Sequence, residues 1–297
     1  MTKIKAILNH LINGTFFKRI AENKKHQLFR EYDAFMKSEH ESIEKKLSDS
    51  IHILLFKKAN LSKELYCYGF EEAEMQFLKK YLKKDDTVLD IGANVGLFTL
   101  ICSEFVGNLG SVHAFEPSPQ TFNWLEQNVN SNKLNNVILN QLAVSDKDGT
   151  INFHLSEEGY DAFNSIVKPS KGLNYITQTV NCLTLDSYVE KHNLQGKIQI
   201  IKIDVEGFEI SLLSGATKTL SADNAPDLVV EFTESNAENA GFTCAQLYDK
   251  IVGFGYELFH YNAETNELIP EPKGMSYLKY KNLVATKNSK KISQRLA

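Results

Sequence analysis

The sequence has no apolar run long enough to cross a membrane. None of its stretches approaches the ~18 consecutive apolar residues that a transmembrane helix requires. The N-terminus also lacks an uninterrupted hydrophobic segment and a small-residue cleavage site, which together mark a secretion signal. We therefore expect a cytoplasmic protein that is at most peripheral to the inner face of a membrane.

The sequence also has few cysteines and a small net charge. Only four cysteines occur in 297 residues, and no two of them lie at the spacing of metal ligands. Scattered cysteines of this kind are typical of reduced, buried thiols. The net charge of -4 disfavours binding of nucleic acid, so we expect no nucleic-acid partner.

Apolar residues make up 42% of the chain, enough for one sizeable core with an appendage. Residues 1–36 place apolar side chains at helical spacing among lysines and arginines. This segment is either a basic amphipathic helix that rests on an anionic membrane surface, or a helix that packs on the domain or on a second subunit of a homodimer. We divide the chain into an N-terminal helical appendage (1–50), one α/β domain (51–287) and a basic tail (288–297) that we expect to be frayed.

One stretch organises the α/β domain. Thr87–Phe98 runs from an apolar strand, through a turn that contains Gly92 and Gly96, into an apolar helix. Such a turn lets the backbone come close to a ligand, and the helix N-terminus behind it offers unpaired N–H groups. The dinucleotide pattern G-x-G-x-x-G is absent, because Asn94 and Leu97 stand where that pattern needs glycine.

Alternating strands and helices follow this turn. Ser111–Phe115 and Asn136–Val144 predict two further strands of a mononucleotide-binding unit. A polar loop over 156–179 has the length of a lid or a binding loop. Near the C-terminus, Tyr256–Tyr261 and Leu283–Thr286 predict an antiparallel pair at the edge of the sheet.

Three other segments complete the predicted fold. Residues 37–50 are polar and indicate a helix tail or a linker. Ile51–Phe56 and Glu64–Tyr68 are short β-like runs that predict a hairpin over the pocket mouth or an edge decoration. Lys197–Val205 is a nearly continuous apolar run, which is typical of a strand that is buried on both faces.

Two acidic residues accompany the glycine turn. Glu116 follows the second strand, 24 residues after Gly92. An acid at that place can accept hydrogen bonds from both hydroxyls of a ribose. Asp90 lies inside the first strand and is either a structural acid that orients the turn or a group near a bound cofactor.

Several motifs together resemble one known family. They are Val88–Gly96, Phe115–Pro117, Ala143–Ser145, Leu185–Asp186 and, above all, Lys202–Glu209, continuing through 213–216 and Glu231. Over about residues 64–287 the chain resembles FkbM-type methyltransferases. The resemblance implies a Rossmann-like class I methyltransferase fold, with a mostly parallel seven-stranded sheet and an antiparallel edge. It also implies S-adenosyl-L-methionine as cofactor, and O-methylation of a hydroxyl on a sugar, a glycolipid, a polysaccharide or a natural product.

The resemblance also assigns positions to the cofactor and the acceptor. The expected cofactor-binding residues are Asp90, Gly92, Ala93, Asn94, Gly96, Glu116, Pro117, Ala143, Val144 and Asp204. In the long loop, Asn164 and Ser165 are expected to bind the acceptor. Tyr160, Phe163 and Tyr175 either form an aromatic platform for a sugar or anchor the loop. We expect no metal site, because Asp204 and Glu231 have no evident third ligand.

Asp204 is the first candidate for the group that accepts the proton of the acceptor hydroxyl, with Glu206 and Glu231 behind it. It stands at the carboxyl end of a central strand, where open α/β sheets bind ligands. Strand alternation puts Lys202 on the same face, so the alternative role of Asp204 is an ion pair with that lysine. Two other functions stay open: N-methylation, and a catalytically silent cofactor-binding or interaction protein.

Overall fold

A computed structural model describes residue 22 and residues 25–59, 61–156, 175–278 and 280–297 of the chain. The strands, numbered in chain order, are β1 (Ser42–Lys46), β2 (His52–Phe56), β3 (Thr87–Ile91), β4 (Ser111–Phe115), β5 (Val137–Asn140), β6 (Ala143–Ser145), β7 (Gly149–Ser156), β8 (Tyr175–Thr184), β9 (Ile198–Ile203), β10 (Asp227–Phe232), β11 (Glu257–Asn262), β12 (Glu267–Pro270) and β13 (Lys281–Thr286). The helices are α1 (25–37), α2 (Leu61–Lys63), α3 (Glu72–Tyr81), α4 (Leu97–Val106), α5 (Pro119–Ser131), α6 (Leu185–Lys191), α7 (Glu209–Ser214), α8 (Thr217–Ser221), α9 (Glu234–Asn239), α10 (Cys244–Val252) and α11 (Ser289–Leu296).

The central sheet has eight strands in the order β12-β11-β13-β10-β9-β3-β4-β5. The five strands from β10 to β5 are parallel, β13 is antiparallel to both of its neighbours, and β12 pairs antiparallel with β11. After β3 the chain continues to β4 on one side, and β9 later pairs with the other side of β3. The carboxyl end of β3 therefore lies at a topological switch point, where open α/β sheets bind ligands.

This topology confirms the predicted Rossmann-like sheet and its antiparallel edge, but the sheet has one strand more than the seven predicted. The eighth strand, β12, has four residues and no buried position among them. It therefore lacks the apolar alternation by which a strand is recognised in a sequence. The remaining strands β6, β8 and β7 form a separate three-stranded sheet.

Apolar clusters cover both faces of the parallel strands. In β9, Ile201 and Ile203 belong to one cluster and Ile200 belongs to another, and all three side chains are fully buried. A strand that is buried on both faces requires a continuous apolar run, as predicted for this segment. The same alternation places Lys202 and Asp204 on one side, at the end of the strand.

The N-terminal part of the domain differs from the prediction. Ser42–Lys46 forms strand β1 instead of a helix tail or a linker, and it pairs antiparallel with β2. Asn128 of α5 and Asn132, which caps the end of that helix, bond the backbone of β2 at Leu54 and His52. The hairpin therefore crosses the boundary at 50/51 and is fixed to the domain.

Glu64–Tyr68 forms a π turn after α2, whereas its composition predicted a strand. Three consecutive side chains, Leu65, Tyr66 and Cys67, are buried. A strand with one exposed face buries only every second residue. A helical turn with its side packed on the core can bury neighbouring residues, and this packing outweighs the β propensity of the tyrosines.

The basic tail is a docked helix, so the prediction of a frayed end is wrong. Ile292 and Leu296 of α11 are buried, and their spacing of four residues puts them on one helix face. The side chain of Asn288 caps the helix by accepting a hydrogen bond from the N–H of Lys291. Arg295 forms an ion pair with Asp86, beside the start of β3. Among the described residues, no helix is both long and apolar enough to span a bilayer.

Candidate active site

A cavity of about 260 Å³ lies at the carboxyl ends of the central strands. It is lined by ten of the predicted site residues, namely Gly92, Ala93, Asn94, Glu116, Pro117, Ala143, Val144, Asp204, Glu206 and Glu231. Glu116 follows β4, Gly92 follows β3, Asp204 follows β9 and Glu231 belongs to β10. The strand order β4-β3-β9-β10 therefore sets these four residues in a row along one edge of the sheet.

The turn after β3 fits tightly between its two neighbouring strands. The N–H groups of Gly92 and Ala93 both donate to the carbonyl oxygen of Phe115, at 3.0 and 2.9 Å. Gly92 has a φ of +85°, and a Cβ at this position would lie 1.7 Å from the carbonyl oxygen of Asp204. Glycine is therefore required here both for the backbone conformation and for the close approach of β9.

The carboxylate of Glu116 is fixed at the cavity wall by two backbone donors. Its Oε2 accepts from the N–H of Asn94 at 3.1 Å, and its Oε1 accepts from the N–H of Ser118 at 2.9 Å. The residue is 7% exposed and lines the cavity. This orientation gives the cavity a preformed acceptor group for ligand hydroxyls.

Two predicted cofactor residues, Asp90 and Gly96, do not line the cavity. Asp90 is fully buried and accepts a hydrogen bond from Thr99 Oγ1 at 2.6 Å. Burial raises the pKa of its carboxyl, and Lys202 and Thr99 oppose that rise. Gly96 has a φ of +98° at the start of α4, where a Cβ would lie 2.7 Å from Leu125. Asp90 is thus bonded to α4 and lies outside the cavity lining, and its role towards the turn or the cofactor stays a prediction.

The predicted acceptor-binding residues Asn164 and Ser165 lie outside the described residues, as do Tyr160 and Phe163. Tyr175, the third aromatic of the proposed platform, begins β8 and packs edge-on against His154, with ring centroids 5.1 Å apart. It does not line the cavity.

Asp204 forms an ion pair with Lys202, the alternative that strand alternation predicted. The Lys202 Nζ lies 2.8 Å from Asp204 Oδ2 and 4.2 Å from the ring centroid of Phe98. Lys202 is 7% exposed. Burial by itself lowers the pKa of this ammonium, but the nearby acids, Asp204 foremost, raise it above its ordinary value. The lysine is therefore a fixed positive charge in the wall of the cavity.

Three carboxylates converge beside this lysine. Oxygen atoms of Asp204, Glu206 and Glu231 lie within 4.8 Å of one another. Glu206 is thus the third oxygen donor beside Asp204 and Glu231, which the sequence did not reveal, and its backbone is left-handed with a φ of 51°. Glu206 accepts from Asn236 Nδ2 at 2.5 Å, and Glu231 accepts from Thr233 Oγ1 at 3.0 Å.

The same crowding determines the protonation of Glu206 and Glu231. Burial first, and then the neighbouring acid Asp204, raise the pKa of both carboxyls well above the ordinary value. Close like charges and a low local dielectric both favour the protonated form. Strongly shifted acids in a cleft are a common property of active sites.

A further wall of the cavity was not predicted from the sequence. It consists of Phe70, Glu71 and Tyr280. Glu71 Oε1 accepts a hydrogen bond from Asn282 Nδ2 at 2.8 Å. Burial raises the pKa of the Glu71 carboxyl, the positive charge of Lys202 lowers it, and the negative charge of Asp204 raises it. The resulting pKa is about 8.

Backbone strain also concentrates at the cavity. Glu71, Asn94 and Glu206 are three of the seven described non-glycine residues with a positive φ, and all three line the cavity. Such conformations cost about 1–3 kcal/mol each and cluster at functional sites. They cannot be located from the sequence, since only Asn94 is a residue type that commonly adopts them.

Comparison with known proteins agrees with this geometry. The sequence profile of the Methyltransferase FkbM domain family matches residues 90–258, more than half of the chain. The hexuronic acid methyltransferase AglP of Haloferax volcanii is 29% identical over 154 residues, which cover 52% of this chain and 59% of that protein. The 2-O-methyltransferase NoeI of Sinorhizobium fredii is 27% identical over 151 residues, which cover 47% of this chain and 60% of that protein. The chain thus spans about three fifths of the length of these two relatives.

Proposed function

Because the chain belongs to the FkbM methyltransferase family, we propose that it transfers the methyl group of S-adenosyl-L-methionine to a hydroxyl of a sugar, as a free glycan or as part of a glycolipid, a polysaccharide or a natural product. The observation that carries the proposal is one cavity that joins the glycine turn and Glu116 to the Asp204–Lys202 pair. The names of the two relatives, which refer to a hexuronic acid and to a 2-O position, support a hydroxyl of a sugar.

The residues of the cavity fit S-adenosyl-L-methionine. Glu116 would accept hydrogen bonds from the ribose hydroxyls, and the backbone of Gly92–Asn94 allows a close approach beside it. The apolar surface for the base would come from Pro117, Ala143 and Val144, which line the same cavity. When bound, this cofactor supplies a methyl group that is already activated by a sulfonium sulfur.

The chain then has to place the acceptor hydroxyl and remove its proton. Positioning of two reactants accounts for much of the rate of such a displacement. We assign proton acceptance to the Asp204 carboxylate, which lines the cavity and is held in place by Lys202. Glu206 and Glu231 stand beside it as the second candidates for this role. Asn164 and Ser165, which lie outside the described residues, stay the proposed acceptor contacts.

No metal ion takes part in this proposal. Each of the three clustered carboxylates has a protein partner: Lys202 for Asp204, Asn236 for Glu206 and Thr233 for Glu231. We therefore expect methyl transfer to continue when divalent cations are removed with EDTA.

The test is a transfer assay with methyl-labelled cofactor against a set of defined glycans, with the product identified by mass and by NMR. The proposal expects one added O-methyl group and the same rate with EDTA. Label that appears only on amines would show that the protein is an N-methyltransferase. Full loss of activity in EDTA, restored by Mg²⁺, would show that the carboxylate cluster binds a cation that the reaction needs.

The N-terminal segment is proposed to provide a peripheral contact, either with an anionic membrane or with a second copy of the chain. In its described part, Tyr32 and Phe35 of α1 are buried against the domain. Lys25 lies 4.6 Å from the ring centroid of the exposed Tyr68. The most basic part, residues 1–21, lies outside the described residues.

A further inference from the structure

The cavity has two ends that lie over different strands of the sheet. Glu116 follows β4, whereas Asn282, the partner of Glu71, lies on β13. The order β4-β3-β9-β10-β13 separates these strands by four steps of ~4.8 Å, so the two ends are ~19 Å apart. Asp204 follows β9, in the middle of this row. The end at β13 is therefore on the far side of Asp204 from the ribose-binding end.

The wall at the β13 end combines an aromatic surface with one carboxyl group. The rings of Phe70 and Tyr280 stack with centroids 5.9 Å apart and an interplanar angle of 30°. Tyr280 is about half exposed, so one aromatic face is accessible from the cavity. Glu71, a residue that is 7% exposed, lies beside this pair, and Asn282 fixes the position of its carboxyl.

The position of Asn282 is itself set by the sheet. In the antiparallel pairing of β10 with β13, Asn282 is the direct partner of Glu231. Partners across a ladder point to the same face and have Cβ atoms ~5 Å apart. Glu71 is thereby tied to the same part of the cavity as the Glu231 carboxyl.

Charge at this end favours an uncharged ligand. Among the described residues that line the cavity, five carry carboxyl groups and only Lys202 carries an amine. That amine is paired with Asp204 at 2.8 Å. Burial and mutual crowding already raise the pKa of Glu71, Glu206 and Glu231, so this end of the cavity disfavours a further negative charge. No unpaired cation of the described wall would offset the charge of a carboxylate ligand.

We propose that Phe70, Glu71 and Tyr280 form the acceptor subsite, and that this subsite takes an uncharged sugar ring in preference to a uronic acid. The apolar C–H face of the ring lies on the aromatic pair, and a ring hydroxyl bonds the Glu71 carboxyl. The inference rests on the proposed function and narrows its acceptor class. It also separates this chain from its relative whose name specifies a hexuronic acid.

The test compares matched pairs of p-nitrophenyl glycosides, a glucoside with the glucuronide and a galactoside with the galacturonide, using labelled S-adenosyl-L-methionine. We expect kcat/KM at least tenfold higher for the neutral member of a pair. Glu71→Ala, which removes the carboxyl, should raise KM for that member at least tenfold and leave cofactor affinity, measured by calorimetry, unchanged. Tyr280→Ala, which removes half of the aromatic surface, should have the same effect and serves if Glu71→Ala does not fold.

The matched control is Glu72→Ala, which makes the same substitution at the adjacent exposed residue and should behave as the wild type. Equal or better transfer to the uronic acids overturns this inference and leaves the proposed function standing. Wild-type KM in both Glu71→Ala and Tyr280→Ala also overturns it. Transfer to no glycoside by a protein that binds the cofactor overturns the sugar acceptor, and the subsite with it.

Discussion

The two carboxylates at the centre of the site, Glu116 and Asp204, are held by different kinds of donor. Two backbone N–H groups donate hydrogen bonds to the Glu116 carboxylate. The Asp204 carboxylate instead accepts a hydrogen bond from the buried ammonium group of Lys202. A carboxylate held by backbone donors suits a binding role, because its geometry does not depend on another side chain. The position of the Asp204 carboxylate in the middle of the cavity, where it can meet an acceptor hydroxyl, suits proton acceptance.

Replacing Glu116 with alanine should weaken the binding of S-adenosyl-L-methionine at least tenfold, because the ribose hydroxyls lose their acceptor. Isothermal calorimetry measures this directly. Glu126→Ala, at an exposed position of α5, is the matched control and should keep wild-type affinity. An unchanged affinity of the Glu116 variant would remove this residue from the binding site.

Asp204→Asn should keep cofactor affinity and lower turnover by about 10²–10⁴-fold, the usual contribution of a general base. The amide keeps the shape of the side chain and can still accept from Lys202, but it cannot take up a proton. Turnover under saturating cofactor is the measurement. Full activity of this variant would refute the assignment of the proton acceptor.

A site residue can be predicted from the sequence when its own motif fixes its place in the sheet. It cannot be predicted when its place depends on a partner that is distant in the sequence. Gly92, Glu116 and Asp204 end strands of one sheet, so motif positions predict that they meet. Glu71 and Asn282 are 211 residues apart and meet only through the pairing of β13 with β10. Nothing in the local sequence around Glu71 marks this contact.

At the scale of elements, the connection from β3 to α4 is the part that tolerates least change. Gly92→Ala should abolish cofactor binding and destabilise the fold, since the added Cβ would lie 1.7 Å from a backbone oxygen. Gly241→Ala is a matched control: its φ of +84° is nearly the same, and a Cβ there meets nothing within 4 Å. The control should lose only about 1 kcal/mol to backbone strain.

Chemical denaturation and calorimetry on both glycine variants separate the clash from the strain. We expect Gly92→Ala to be clearly the less stable of the two variants and to bind no cofactor. Equal stability of the two variants, with cofactor binding retained, would show that β3 and β9 do not approach as closely as described.

The docking of α11 gives a second prediction for an element. Ile292→Ala should lower the free energy of unfolding by about 2–5 kcal/mol, as expected for a fully buried isoleucine. Lys290→Ala, at an exposed position of the same helix, should change it by less than about 0.5 kcal/mol. Denaturant midpoints compare the two. An Ile292 variant as stable as the control would show that this segment is not docked on the domain and is frayed, as its composition suggested.

Elements with a clear period were predicted correctly, and those defined by distant partners were not. β3, β9 and the antiparallel pair of β11 and β13 have apolar patterns that fit their environment. β1 and β12 are short and polar, and they are strands because a neighbouring strand offers its hydrogen-bonding edge. Such pairing depends on tertiary structure, which propensity does not encode.

At the scale of the whole molecule, the question is what the basic N-terminal segment contacts. Deleting residues 1–21 should abolish sedimentation with liposomes that contain anionic lipid, if the segment binds a membrane surface. The deletion leaves the packed residues of α1 in place, so loss of folding does not confuse the result. Failure of the intact protein to sediment would favour the homodimer, which light scattering would then report.

Across the whole molecule, one row of strand ends is proposed to hold the cofactor at β4 and β3 and to perform transfer at β9. The most direct measurement is a crystal structure with S-adenosyl-L-homocysteine bound. We expect ribose hydroxyls within hydrogen-bonding distance of the Glu116 carboxylate, and the sulfur on the side of the cavity that faces Asp204. A ligand bound elsewhere, or bound with its ribose beside Glu71, would contradict this placement of the cofactor.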